Sequence, residues 1–246
     1  MTTEALFAER WKELESVTRL SFPTWDGRDI EKFLKQMRVE GVDFTRIMAL
    51  RNVRNALTHN PMLNGVPLVA INVGVIPFID ETIALIKHLP TAANIIIPRS
   101  KVYSCARTDT IHDVVDTMLT KVFSHVPVLD PDDKLIGVFS ESTMLEMSKA
   151  GITDDGTVTM KDVERFLDVE KHTAEVFRFV PKNDSIAHLR YLCAEALEKH
   201  ERIGMFFVTQ NGKKDESLLG ILTVWDIAGI SDVLSDKGNK SLEEGG

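Results

Sequence analysis

Two groups of side chains in this 246-residue chain are spaced for chemistry. In Gly220-Ile221-Leu222-Thr223-Val224-Trp225-Asp226-Ile227, a glycine and two aliphatics read as the end of a buried strand. A hydroxyl and a carboxylate follow as the chain turns into a helix. A threonine hydroxyl beside the free amides of a helix start suits a phosphate, and a carboxylate three residues on suits the two hydroxyls of a ribose. An incomplete copy lies upstream at Gly137-Val138-Phe139-Ser140-Glu141-Ser142-Thr143, with the hydroxyl but no carboxylate. The second group is Arg54-Asn55 with His59, late in a helical run. Asn55 and His59 are four apart and share a helix face, so the amide can orient the imidazole.

The elements that must position these residues fall into two grammars. From Thr2 to about Pro90 the apolar spacing is helical: Leu6, Phe7, Trp11, Leu14 and Val17, then Ile30, Phe33, Leu34 and Met37. Asp43 caps a third helix carrying Phe44, Ile47, Met48, Leu50 and Val53, which Pro61 should end near His59. A fourth apolar stretch, Val66 to Leu89, contains Pro77, which predicts a kink or a break. Four helices in about 90 residues suggest a small antiparallel bundle.

After Pro90, strands are expected at Asn94–Pro98, Val102–Cys105, Val126–Leu129 and Leu135–Phe139, with helices from Asp109 to about Val122 and around Met144–Met147. The order then returns: a strand at Val176–Phe179, a helix from Asp184 to about His200, strands at Met205–Val208 and Leu218–Leu222, and a helix from Trp225. Asp109-Thr110-Ile111 aligns with Asp184-Ser185-Ile186 at an offset of 75, and Gly137 with Gly220 at an offset of 83. This is a two-copy internal repeat.

The β-α-β-β-α order, the helix-opening Asp-Thr-Ile and the Gly-hydrophobic-hydrophobic-Thr-x-x-Asp motif resemble the CBS domain. Two copies in tandem look like a CBS pair (Bateman module) over roughly residues 96–232. Arg54-Asn55 followed by His59 resembles the Arg-x-x-x-x-His motif of HEPN domains, helical bundles that include many ribonucleases. The resulting expectation is an α+β chain. Residues 1–92 form an all-α, HEPN-like helical bundle, 93–150 the first βαββα CBS repeat, 151–234 the second, and 235–246 a disordered tail.

The CBS resemblance implies a cleft that joins the motif of one copy to the early strands of the other. Thr223 would face phosphate and Asp226 ribose, with a base pocket from Pro98, Tyr103, Phe123 and Ser124. Tyr103 and Phe123 offer flat surfaces to an adenine ring, although Phe123 equally fits core packing. Relatives that neutralise phosphates carry His or Arg where this chain has Ile203 and Gly204, so AMP or ADP is expected over ATP. A weaker second site would use Ser140, Thr173, Arg178 and Arg202, with Thr143 in place of the ribose carboxylate.

The favoured expectation is a regulatory, homodimeric protein that senses an adenine nucleotide and relays occupancy to the helical domain or the dimer. The HEPN resemblance implies an alternative, a nucleotide-gated, metal-independent ribonuclease. Its Arg54 would stabilise the scissile phosphate, His59 would act as acid or base, and RNA would be a partner. A degenerate repeat that binds nothing, serving as a scaffold, is a third reading.

Composition narrows the classes. Residues 1–90 carry 11 Lys/Arg and 11 Asp/Glu, whereas the remainder carries 18 against 26 and so accounts for the net charge of −8. The C-terminal part therefore repels polyanions in bulk. No run of about 18 uncharged apolar residues predicts a membrane span. The start lacks a basic-then-apolar leader. Cys105 and Cys193 lie in apolar stretches and read as reduced core thiols, so a cytoplasmic location is expected. His112, His125, His172 and His188 lack metal-ligand spacing and read as solvated or capping, and no metal is expected. Asp154-Asp155-Gly156 lacks the following ligands of a calcium loop and reads as a turn before a helix at Met160–Leu167.

Overall fold

The computed structural model describes residues 2–22, 24–59, 62–63, 66–67 and 69–229. These fold into two compact units, the first comprising residues up to Thr91 together with Asp184–Tyr191.

In that first unit, helix α1 spans Thr3–Ser21, started by the Thr2 hydroxyl, which accepts a hydrogen bond from the Ala5 amide at 3.2 Å. Helix α2 spans Ile30–Gln36 and α3 spans Phe44–His59. Asp43 caps α3 as expected, accepting from the Arg46 amide at 3.0 Å. Strands β1 (Met62–Leu63) and β2 (Val66–Pro67) then pair antiparallel, so the unit is not wholly helical. Helix α4 spans Val75–Lys87. Pro77 neither kinks nor breaks it, because it falls in the first turn, where its missing N–H has no partner to lose. Phe7, Trp11, Leu14, Leu34, Ile47 and Ile79 meet in one core. Asn60 and Pro61, the expected stop signal of α3, lie outside the described residues.

The second unit holds Ala92–Asn183 and the residues from Leu192 onward. It opens with helix α5 (Ala92–Ile95) and strand β3 (Ile97–Pro98), followed by a 3₁₀ turn at Arg99–Lys101. Then come α6 (Ile111–Lys121), β4 (His125–Leu129), β5 (Leu135–Ser140) and α7 (Glu141–Lys149). After a 3₁₀ turn at Glu164–Phe166 follow β6 (Val176–Pro181), α8 (Ile186–Glu198), β7 (Ile203–Thr209), β8 (Gly220–Leu222) and α9 (Val224–Ala228).

Strand β4 pairs antiparallel with β5, and Cys105 bridges to Val128 in the parallel sense. A four-stranded sheet runs β3-β8-β7-β6, with β6 parallel to β7 and the other pairs antiparallel. Three local expectations are corrected. Asn94–Pro98 is split between α5 and a two-residue strand. Val102–Cys105 makes only the single bridge at Cys105. The expected helix at Met160–Leu167 is the short 3₁₀ turn. Asp154 closes a turn by accepting from the Gly156 amide at 2.9 Å.

Both cysteines are free thiols, and burial pushes Cys105 up to about 12, with the charge of Asp109 adding to the shift. Burial raises Cys193 as well. Neither forms thiolate readily near neutrality. The expected tail from Ser235 lies outside the described residues.

Candidate functional site

Thr223 ends β8 in extended backbone and caps α9. Its amide and its hydroxyl both donate to Asp226 Oδ2 at 2.7 Å, and its Oγ1 accepts from the Asp226 amide at 3.4 Å. The two residues expected to hold phosphate and ribose are therefore first a capping box, which satisfies the donors of the helix start. The upstream copy repeats the device. The Ser140 amide donates to Thr143 Oγ1 at 3.1 Å, and the Thr143 amide donates to Ser140 Oγ at 3.3 Å. The copies differ in access: Ser140 and Thr143 are each 1% exposed, whereas Thr223 and Asp226 are half-buried. Asp226→Ala should unlatch Thr223 and cost about 1 kcal/mol, read from urea denaturation without any ligand. An unchanged midpoint would contradict the cap.

Thr223 lines a cavity of about 360 Å³ in the second unit. Tyr103 and Phe123 line it as well, stacked on each other with ring centroids 6.1 Å apart and planes inclined by 21°. Phe123 is 41% exposed, so its ring is not a core ring. Ser124 contributes a hydroxyl, and Ile97, Val102, Ile221 and Val224 form apolar wall. Pro98 and Asp226 are not among the lining residues.

Two cations that the sequence reading missed at this site also line the cavity: Lys101 from the 3₁₀ turn after β3, and Arg202 just before β7. Neither forms an ion pair among the described residues, whereas the neighbouring Arg99 is held by Asp133 at 2.8 Å. The missing-cation expectation is therefore corrected. Arg202 stands one residue before the Ile203 and Gly204 positions and was expected in the other cleft. No local signal in the sequence marks Lys101.

Behind Ser124 lies a buried polar chain. Ser124 Oγ is 2.8 Å from His125 Nδ1, and His125 Nε2 is 2.6 Å from Glu175 Oε2. The His172 ring, 3% exposed, lies with Nδ1 3.9 Å from Glu175 Oε1. Burial acts to raise the Glu175 carboxyl, but the hydrogen bond and charge of His125, helped by Ser140 and Arg202, outweigh it and hold the group below its ordinary value. His125 and His172 are thus buried acid partners rather than solvated or capping groups. His188 is buried against Asp184 at 2.8 Å, and of these four only His112 is exposed.

The expected second cleft is not assembled from its four residues. A cavity of about 200 Å³ is lined by Ser142, Glu141, Glu175, His125, Ser124 and Arg202, but not by Ser140, Thr173 or Arg178. Arg178 pairs with Glu201 at 3.3 Å. In the first unit, Arg54 and Asn55 line a separate cavity without His59. The Asn55 side-chain oxygen accepts from Arg54 Nη1 at 3.2 Å, so the hydrogen bond it makes is to its neighbour rather than to His59. Among the described residues no group of three or more His, Cys, Asp or Glu is arranged to hold a metal ion, and no helix is long and apolar enough to cross a membrane.

These elements define an α/β unit with a small-molecule-sized cavity over its strand ends. The CBS domain family profile matches residues 92–149. No curated protein matches the chain. Among solved structures, CbpB from Streptococcus agalactiae is 20% identical over 59% of this chain and 83% of its own, with a TM-score of 0.44. CbpB in complex with c-di-AMP is 20% identical over 62% and 91%, with a TM-score of 0.45. CBSX2 in complex with AMP is 19% identical over 59% and 98%, with a TM-score of 0.43.

Proposed function

We propose that residues 151–234 are a second CBS copy and that the pair binds an adenine nucleotide in the 360 Å³ cavity, as a regulatory rather than a catalytic module. One observation carries this reading. A threonine hydroxyl, two cations without ion-pair partners and a stacked aromatic pair converge on one cavity. Lys101 and Arg202 serve the phosphates, joined by the Thr223 hydroxyl once it turns from Asp226, and Tyr103, Phe123 and Ser124 serve the base. Pro98 and Asp226 stand behind this lining, Pro98 holding β3 on the base side and Asp226 latching Thr223, from which it would have to turn to reach a ribose.

Charge no longer argues against a long phosphate chain, but size does. The cavity lies near the low end of the roughly 300–1,000 Å³ of small-molecule sites, which favours AMP or ADP over ATP. Leu119, Val122, Leu145, Leu197 and Trp225 are each 73% exposed or more. These apolar side chains on α6 and the residue after it, α7, α8 and α9 support a homodimer formed through these helices. Occupancy of the cavity would then be relayed to the dimer or to the helical domain.

The test is calorimetric titration of the full chain with AMP, ADP, ATP, NAD and S-adenosylmethionine. AMP or ADP should bind well below 1 mM, and Arg202→Gln and Lys101→Gln should each weaken binding about tenfold, the effect expected from losing one charge-assisted contact. No binding below about 1 mM by any of the five, or variants that bind as the parent, would remove the assignment. The ribonuclease reading needs Arg54 and His59 at one phosphate. Among the described residues the cavity that Arg54 lines does not include His59, so this reading calls on the His59 of a second chain. EDTA-resistant RNA cleavage abolished by His59→Ala would restore it.

A further inference from the structure

The helical unit contains a cavity of about 370 Å³, as large as the one proposed for the nucleotide, and the proposed function makes no use of it. Its donors come mainly from one face of α3, where Arg51, Arg54 and Asn55 recur at the i, i+3, i+4 spacing that aligns side chains on a helix. Trp11 from α1 and Trp25 from the loop before α2 close it, 2% and 3% exposed. Each indole N–H is already used: Trp11 donates to Glu15 Oε1 and Trp25 to the Arg28 carbonyl, both at 2.7 Å. The rings therefore supply apolar wall, and the free polar capacity belongs to α3.

That capacity is one of unused donors, because the arginine charges are already met by carboxylates. The Arg51 Nη1 is taken by Asp29 and by Glu31, the latter at 2.8 Å, while the buried Nε of Arg51 has no hydrogen-bond partner. Arg54 reaches only the neutral Asn55 oxygen at 3.2 Å and, loosely, Glu15 at 3.5 Å. Of the acids lining the cavity, Glu15 already accepts from Trp11 and Asp29 from Arg51, so both hold donors in place. Asp29 does so from a left-handed backbone at φ 40°, a conformation that a non-glycine residue keeps only when its surroundings enforce it.

We infer that this cavity binds the phosphoryl group of a small phosphorylated molecule, held by Arg51, Arg54 and Asn55. The unpartnered Nε of Arg51, the fork of Arg54 and the Asn55 amide offer donors to phosphate oxygens, and the phosphate would displace Glu15 from its loose 3.5 Å contact with Arg54. The enclosed volume fits one small molecule rather than a polymer strand. The site is separate from Thr223, so it stands or falls independently of nucleotide binding.

The chain has three tryptophans, so full-length protein carrying Trp225→Phe reports only Trp11 and Trp25. Its fluorescence is titrated separately with ribose 5-phosphate, inorganic phosphate, acetate and a single-stranded RNA oligonucleotide. Ribose 5-phosphate is expected to give a saturable change, with inorganic phosphate weaker. Arg54→Gln and Asn55→Ala, checked for folding by circular dichroism, should each weaken binding at least fivefold. Silence with both phosphates, an equal response to acetate, a response to RNA alone, or Arg54→Gln and Asn55→Ala variants that titrate as the parent would each overturn the proposal. Failure of adenine nucleotides to bind at Thr223, Lys101 and Arg202 would leave it untouched.

Discussion

Gly137→Ala should lower the unfolding free energy by about 3 kcal/mol, and the melting temperature by roughly 6–12 °C. A Cβ at this position would overlap the Leu167 carbonyl oxygen and come within 2.6 Å of the Leu167 Cβ. Leu167 cannot retreat freely. It is 1% exposed, and its carbonyl accepts from the Val138 amide at 2.8 Å, so relief of the clash would break a buried hydrogen bond beside the substitution. Gly151→Ala is the internal control. Nothing lies within 4 Å of a Cβ there, and only its φ of 75° resists a side chain, a cost of about 1 kcal/mol. Thermal denaturation of both variants decides the matter: equal, small losses would show that β5 does not approach the 164–167 turn this closely.

Glu175→Ala is expected to cost a similar amount, about 3 kcal/mol. The carboxylate is 5% exposed, and its removal leaves His125, 9% exposed, without the partner 2.6 Å from its Nε2. It also strips His172 of its nearest acid, and His172 Nε2 already lacks a hydrogen-bond partner. The same group predicts a pH profile. Its folded-state carboxyl titrates below the ordinary value of 4.5, so the native state favours the ionised form. The stability this provides is complete above that value and is lost as pH falls through the lower folded value. Urea midpoints between about pH 6 and pH 3 should therefore fall less steeply for Glu175→Gln than for the parent. Parallel profiles would dismiss the coupling.

Much of the architecture is legible in apolar periodicity. The runs around Trp11 and Ile47, the hairpin strands about Asp130-Pro131, and the return of the same order after Val176 all appear as structured elements. What fails is decided by distant partners. Strand β3 exists because Ile97 and Pro98 pair with Ile221 and Gly220, and nothing in the local sequence separates those two residues from the short helix before them. The candidate site divides in the same way. Thr223 and Tyr103 are visible from motif position, but a capping box and a ribose contact place the same demand on Asp226 in sequence. Glu175 carries no mark that it meets His125, because that contact depends on how β4 and the segment before β6 come together. Lys101 is hidden for a related reason: the turn that aims it at the cavity follows a strand defined only by its pairing with β8.

Arg202 lines both the larger cavity beside Thr223 and the smaller one beside Glu141 and Glu175. One guanidinium can be the counter-ion of only one bound anion at a time. An occupant of the larger cavity would draw it away and leave the smaller one with two carboxylates and no free cation from this arginine.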